Sequence, residues 1–394
     1  MTPMTPRERV AAALNHREPD RVPVSLGGSA NHIAEAAFIR LRDHLGAQDI
    51  PRRTLVGFYT TPDYNPLLDK LGTDIRYIHM RPPASYHAHS LLEPFEPFVD
   101  EWGLTHQLTS GYYDLPGAPL AERFTPEGIE NYAWPDPYDP VRMEGVKEEV
   151  ERLYNETDHA IVAHRPVYGN IWEMSRLLLG MEKALVATIL EPKTFDALMW
   201  KLTEVLNGFY DAFLSVVGPY VQIVEMAEDL GTNMGPMVNP KFYREHIKPR
   251  HKETIALIKQ KAPNAKVMLH CDGAIHAFLP DLIDAGFEAL NPIESNLPGM
   301  NPADLKAEFG SEMVFMGGVD VREVLTRGSV EDVRHEVKLR IAQMAPGGGY
   351  ICGPSHNFGN DMPLENILAF FEATREFGSY PLAFTLDDLE AKGS

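Results

Sequence analysis

His270, Cys271 and Asp272 stand at the end of the apolar run Lys266–Leu269, and Gly273 follows them. Val267, Met268 and Leu269 have the unbroken apolar character of a strand buried on both faces, as parallel sheets require. Side chains alternate across a strand, so His270 and Asp272 should share one face while Cys271 takes the other. An imidazole and a carboxylate at the carboxyl end of a buried parallel strand occupy the position where an α/β barrel places its chemistry. A second imidazole, His356, lies in the stretch Tyr350–Asn357. Two imidazoles and a carboxylate can hold zinc and leave a position open for substrate or water. The same donors suit non-haem ferrous iron. Cys271 and Cys352 are alternative thiolate ligands, although cysteine is more often a small buried apolar residue.

Residues so far apart in the chain must be brought together by a regular frame. Eight short apolar runs supply it: 21–27, 74–80, 160–167, 221–226, the run ending at His270, 288–293, 313–318 and 349–353. Amphipathic helices are expected between most of them, with Asn301, Pro302 and Ser329 as start signals. Strand and helix in alternation predict a single (β/α)8 barrel over residues 1–394. An open doubly wound sheet would carry a Gly-rich dinucleotide turn after its first strand, and Gly27 and Gly28 are not followed by that pattern. Thr5, Pro6 and Glu8 have the capping-box spacing of an N-terminal helical extension. Residues from about 81 to 140 break the alternation. Their polar and aromatic residues, interrupted by prolines, predict an irregular insertion with one or two hairpins over one mouth.

All eight carboxyl ends of such a barrel open on that mouth. His32 follows the first strand, His79 the second, and Arg165 and Tyr168 the third. Glu225 and Asp229 follow the fourth, Glu294 the sixth, and Asp320 and Arg322 the seventh. The eighth brings Cys352, Ser355 and His356. So many ionisable groups exceed what helix capping needs, and their convergence favours an active site. Glu225, Asp229 and Glu294 are the candidates for orienting substrate or relaying a proton. His32, His79, Arg165, Tyr168, Asp320 and Arg322 are the candidates for binding it.

Composition narrows the partners. A formal net charge of −20 repels phosphate backbones and anionic lipid, which excludes nucleic acid and the membrane surface as expected partners. No apolar run approaches the roughly 20 residues needed to cross a bilayer. With 2 cysteines, no disulfide framework is expected. The N-terminus lacks the apolar segment of a signal peptide, so a cytoplasmic location is expected.

Several stretches together resemble the uroporphyrinogen decarboxylase superfamily, particularly its methyltransferase-like branch. They are residues 5–14 with 19–23, Trp172 and Glu173 leading into 179–182, and 228–231 with 243–249. The others are the His270 stretch, 317–320, and 354–357 leading into 363–366. The resemblance runs over almost the whole chain and implies one (β/α)8 barrel. Members that move methyl groups to thiols carry zinc in a His-x-Cys site completed by a distant Cys. His270 matches the histidine, Asp272 falls at the first cysteine and His356 near the second. Carboxylate and imidazole in place of thiolates make a harder, more Lewis-acidic site. The decarboxylases resemble one another in an arginine-bearing segment, and Gly27–His32 here lacks those arginines.

The resemblance implies a zinc-dependent methyltransferase or demethylase acting between a small substrate and a thiol or corrinoid carrier. A corrinoid protein, and a homodimer, are the expected macromolecular partners. A metal-free decarboxylase or lyase, anchoring its substrate on Asp229 or Asp272 and its carboxylates on Arg165 or Arg322, is the alternative. A non-catalytic corrinoid or small-molecule binding protein is the third.

Overall fold

The structure is a computed structural model that describes residues 3–28, 32–50, 65–86, 96–109 and 112–390. A parallel sheet of 7 strands forms its centre. In order they are β1 (Ile75–Ile78), β2 (Ala160–Ala163), β3 (Ile223–Ala227), β4 (Lys266–His270), β5 (Ala289–Asn291), β6 (Val314–Val319) and β7 (Tyr350–Pro354). Each strand pairs with its neighbours in the sequence, and helices lie between most of them. Seven of the eight predicted runs are therefore strands, in the predicted order.

Alternation along the strands separates two apolar layers. Ile75, Tyr77, Val162, Ile223, Met268, Val314, Met316 and Ile351 form an inner cluster with Val10, Ala13 and Leu14 of the N-terminal helix Pro6–Leu14. The residues between them, such as Val267, Leu269 and Cys271 of β4, join the larger cluster shared with the surrounding helices. Positions that continue the inner layer toward the carboxyl ends are polar: His164, Glu225, His270 and Asn291 are all buried there. The frame thus aims its ionisable groups inward at one end.

The run 21–27 departs from expectation, for it is not a regular strand. It lies between β7 and β1 and is joined by a few bonds: the Cys352 amide donates to the Pro23 carbonyl (2.8 Å), the Ser25 amide to the Cys352 carbonyl (3.0 Å) and the Asp74 amide to the Val24 carbonyl (2.9 Å). Pro23 has no N–H to give. The Val24 amide donates to the Asp74 carboxylate instead, at 2.8 Å. The ladder toward β1 loses the Val24 donor in this way. Asp74 is buried and also paired with Arg9 (2.6 Å) and Arg21 (2.8 Å).

The insertion contains an antiparallel ribbon, Phe98–Val99, Thr105–Thr109 and Tyr112–Asp114, followed by short helical turns. Asp100 fastens it to the strand ends. Its carboxylate accepts a hydrogen bond from Tyr168 Oη (2.7 Å) and lies 2.8 Å from His106 Nε2. Amphipathic helices are found where expected between strands, among them Ile171–Leu179, Pro302–Phe309 and Val330–Met344, and Leu364–Phe377 follows the last strand. Asn301 caps one of them and Ser329, in a capping box with Asp332, another.

Candidate active site

β4 carries the centre of the site. The register sets His270 between Ala227 of β3 and Asn291 of β5. His270 Nδ1 is 3.3 Å from Asn291 Oδ1, so the ring donates there and turns Nε2 toward Asp272. Asp272 Oδ2 lies 3.7 Å from His270 Nε2 and 3.6 Å from His356 Nε2. The loop after β3 returns Asp229, whose Oδ1 accepts the Asp272 amide at 3.1 Å. One ligand atom each from Asp229, His270 and Asp272 lie within 4.8 Å of one another.

Two glycines make this approach of loops feasible. A Cβ on Gly231 would come within 2.9 Å of the Asp272 carbonyl, and one on Gly273 within 2.6 Å of the Gly231 carbonyl carbon. Gly273 also has φ +96°, a backbone that side-chain-bearing residues rarely adopt. The Gly273 amide donates to Glu294 Oε2 at 2.6 Å, and Arg322 donates to Glu294 Oε1 at 2.9 Å. Burial, reinforced by the Asp272 charge, raises the Glu294 carboxyl pKa. A cleft of about 300 Å³ opens over this cluster, lined by Asp272, Glu294, Arg322, His356 and the hairpin residues 231–233.

The donor set fits a divalent cation. Asp272 Oδ1 is buried and has no hydrogen-bond partner among the described residues. The one buried imidazole is oriented through its far nitrogen by Asn291, the arrangement that metal-binding histidines need. Two carboxylates and a nitrogen without thiolate suit zinc or ferrous iron.

The other half of the mouth is built on β1 to β3. His164 follows β2 beside Glu225 of β3, with His164 Nε2 and Glu225 Oε2 3.9 Å apart. The rings of His79 and His164 have centroids 4.4 Å apart, and Tyr77 meets His164 edge-on. Burial, then the charges of His79 and Arg165, pull the His164 pKa well down, which favours the neutral imidazole. The charge of His32 acts on His164 in the same direction, though less strongly.

Other candidates are engaged elsewhere. Cys271 points outward and its sulfur accepts the Leu230 amide at 3.3 Å, and burial raises its pKa far above the usual thiol range. Cys352 lies 3.6 Å from Thr374 on the outer layer, its thiol pushed up to about 11 by burial. Both stand on the wrong side of their strands to join the cluster. Asp320 caps the turn Val321–Leu325 by accepting the Arg322 and Glu323 amides. Tyr168 is tied to Asp100, as described. The structure also brings in residues that the sequence did not name as site candidates. Asn291 and His164 are found only by pairing strands in register. Glu173, 2.6 Å from Arg176, is pushed up to about 7 by burial and by the charge of Asp229. Glu228, fully buried, accepts the Trp172 and Glu173 amides and pins that helix start to the end of β3.

Residues 111–377 match the family described as Uroporphyrinogen decarboxylase (URO-D). The chain belongs to the uroporphyrinogen decarboxylase family. It is 24% identical over 206 residues to "Methylcobamide:CoM methyltransferase MtaA" of Methanosarcina barkeri, covering 50% of this chain and 57% of that protein. It is 22% identical over 189 residues to "Uroporphyrinogen decarboxylase" of Pelodictyon phaeoclathratiforme, covering 47% and 50%. The chain thus spans about half the length of the curated relatives it matches. A solved structure, "methyltransferase from Methanosarcina mazei", superposes with a TM-score of 0.63 at 18% identity, over 95% of this chain and 99% of that one. The uroporphyrinogen decarboxylase family is a family of enzymes, and its methyltransferase-like branch is the one this chain resembles.

Proposed function

We propose that the chain is a metal-dependent methyltransferase that passes a methyl group between a small substrate and a thiol or corrinoid carrier. The reading is carried by one observation: Asp229, His270 and Asp272 converge on one point, with a buried Asp272 oxygen left unpartnered. In this reading those residues hold zinc, with His356 beside Asp272. When bound, such an ion supplies Lewis acidity that lowers the pKa of a thiol or polarises an oxygen. The chain's own groups do the remainder. Asn291 holds the His270 ring, Arg322 offers a cation to an anionic group in the cleft, and the neutral His164 with Glu225 keeps a proton-handling pair under the substrate. Arg165, His32 and His79 orient the substrate above that pair. The run 21–27 is taken as the eighth stave of a complete single-domain barrel, and a corrinoid-bearing protein as the partner docking at its mouth. The relative named methylcobamide methyltransferase supports the carrier.

The relative named uroporphyrinogen decarboxylase favours a second reading, a metal-free carboxy-lyase that grips substrate carboxylates with Arg165 and Arg322. Incubation with methylcobalamin and a simple thiol, followed by the absorbance of the cobalt–methyl bond, separates the two. Demethylation that stops on chelation supports methyl transfer. Inertness toward methylcobalamin with chelator-insensitive release of carbon dioxide from a porphyrinogen supports the second.

A further inference from the structure

Asp229 is gripped from outside the cluster by the helix Ile171–Leu179. Two successive residues of the loop after β3 meet that helix at two levels. Glu228 accepts the Trp172 and Glu173 amides at 3.1 and 2.7 Å, the work that an N-cap side chain normally does. One turn further on, Arg176 Nη2 donates to Glu173 Oε1 at 2.6 Å and to Asp229 Oδ2 at 3.4 Å. Asp229 Oδ1 accepts the Asp272 amide at 3.1 Å, so both oxygens of this carboxylate are directed. Gly169 leaves the room: a Cβ there would come within 2.0 Å of Glu173 Cγ. Glu173 Oε2 is buried and has no hydrogen-bond partner among the described residues. A carboxylate kept in that state, close to a second one, works against stability, so its retention calls for another reason.

We propose that Arg176, braced by Glu173, is a positioning residue that sets Asp229 for the divalent ion. The inference rests on the metal-dependent reading given above. Neither side chain belongs to the three that converge, so both act through Asp229. Ligating carboxylates are aimed by hydrogen bonds from beyond the ion, and losing such a partner lowers affinity. An uncompensated guanidinium at this place would also repel a divalent cation. Glu173 offsets that charge from 2.6 Å away, which keeps the orienting hydrogen bond and removes most of the repulsion. The grip of Glu228 on the helix start is separate, so the aim of Asp229 can be altered without releasing the loop.

Zinc titration of the full chain against a chromophoric chelator tests this without any turnover. The wild type should take up about one equivalent. Arg176→Gln should bind zinc about tenfold to a hundredfold more weakly, with the far-UV dichroism unchanged. Glu173→Gln keeps the shape of the side chain and leaves the guanidinium uncompensated. It should weaken binding about tenfold, and the loss should shrink as salt is raised. A merely structural role for Glu173 would not produce that salt dependence. The double variant should bind no more weakly than Arg176→Gln alone, because the second change acts only through the guanidinium. Arg81→Gln, which breaks an ion pair with Glu149 elsewhere, should leave the affinity unchanged. A wild type that binds zinc, beside an Arg176→Gln or Glu173→Gln variant that binds it as tightly, overturns the positioning role and leaves the ion site standing. A wild type that takes up no zinc removes the ion site, and this inference with it.

Discussion

The two halves of the mouth share a frame and differ in how they handle charge. Around the end of β4 the groups are hard donors in partial contact with solvent: Asp229 from the loop after β3, Asp272 after β4 and the half-exposed His356 after β7, around a buried His270. On β1 to β3 they are sealed, with His164 and Glu225 each no more than 2% exposed. In the first half two carboxylates gather at the open end, where a bound cation would relieve their repulsion. In the second, burial drives the imidazole neutral and places it against one carboxylate. The lesson is that the same residue types become suited to ion binding or to proton handling according to depth and company.

The two halves can be separated by substitution. His270→Ala should remove both metal binding and turnover, the largest effect expected anywhere in the chain; metal content and the methylcobalamin assay measure it. Glu225→Gln should leave metal content unchanged and lower turnover by about a hundredfold, the usual contribution of a positioned acid or base. Loss of metal in Glu225→Gln would erase the distinction between the halves. Asn291→Ala leaves every donor in place and frees the His270 ring, so zinc affinity should fall about tenfold to a hundredfold in calorimetric titration.

Much of this was legible in the sequence. Apolar runs of the right length fixed seven strands and their order, because burial on both faces leaves no polar positions to confuse the period. Asn301 and Ser329 announced helix starts through local chemistry. The run 21–27 was misleading, since its apolar pattern is that of a strand while Pro23 and the Asp74 carboxylate divert its hydrogen bonds. Asp229 was placed at the mouth but not among the metal donors. Its approach to Asp272 depends on Gly231 and Gly273 packing backbone to backbone, a contact between loops that no local pattern reveals.

Away from the mouth, effects should be on stability alone. Asp20 accepts hydrogen bonds from Arg9 at 2.6 and 2.8 Å, which, with the Met4 and Arg21 amides, holds its carboxyl at about 2 despite partial burial. A folded-state pKa below the unfolded one stabilises above about pH 4 and ceases to do so as pH falls through 2. Asp20→Asn should therefore destabilise by about 2 kcal/mol at neutral pH and by progressively less in acid, read by denaturant titration. Ser329→Ala, which removes one capping box, should cost about 1 kcal/mol in the same titration. Neither should alter metal content.

The central claim is that an aspartate-rich cluster around one buried imidazole binds a divalent ion, and elemental analysis meets it most directly. Protein purified without added metal, wild type beside His270→Ala and Asp272→Ala, is measured for zinc and iron per chain. The account predicts about one equivalent in the wild type and almost none in either variant. A wild type without metal, even after zinc is supplied, or variants that keep a full equivalent, would contradict it.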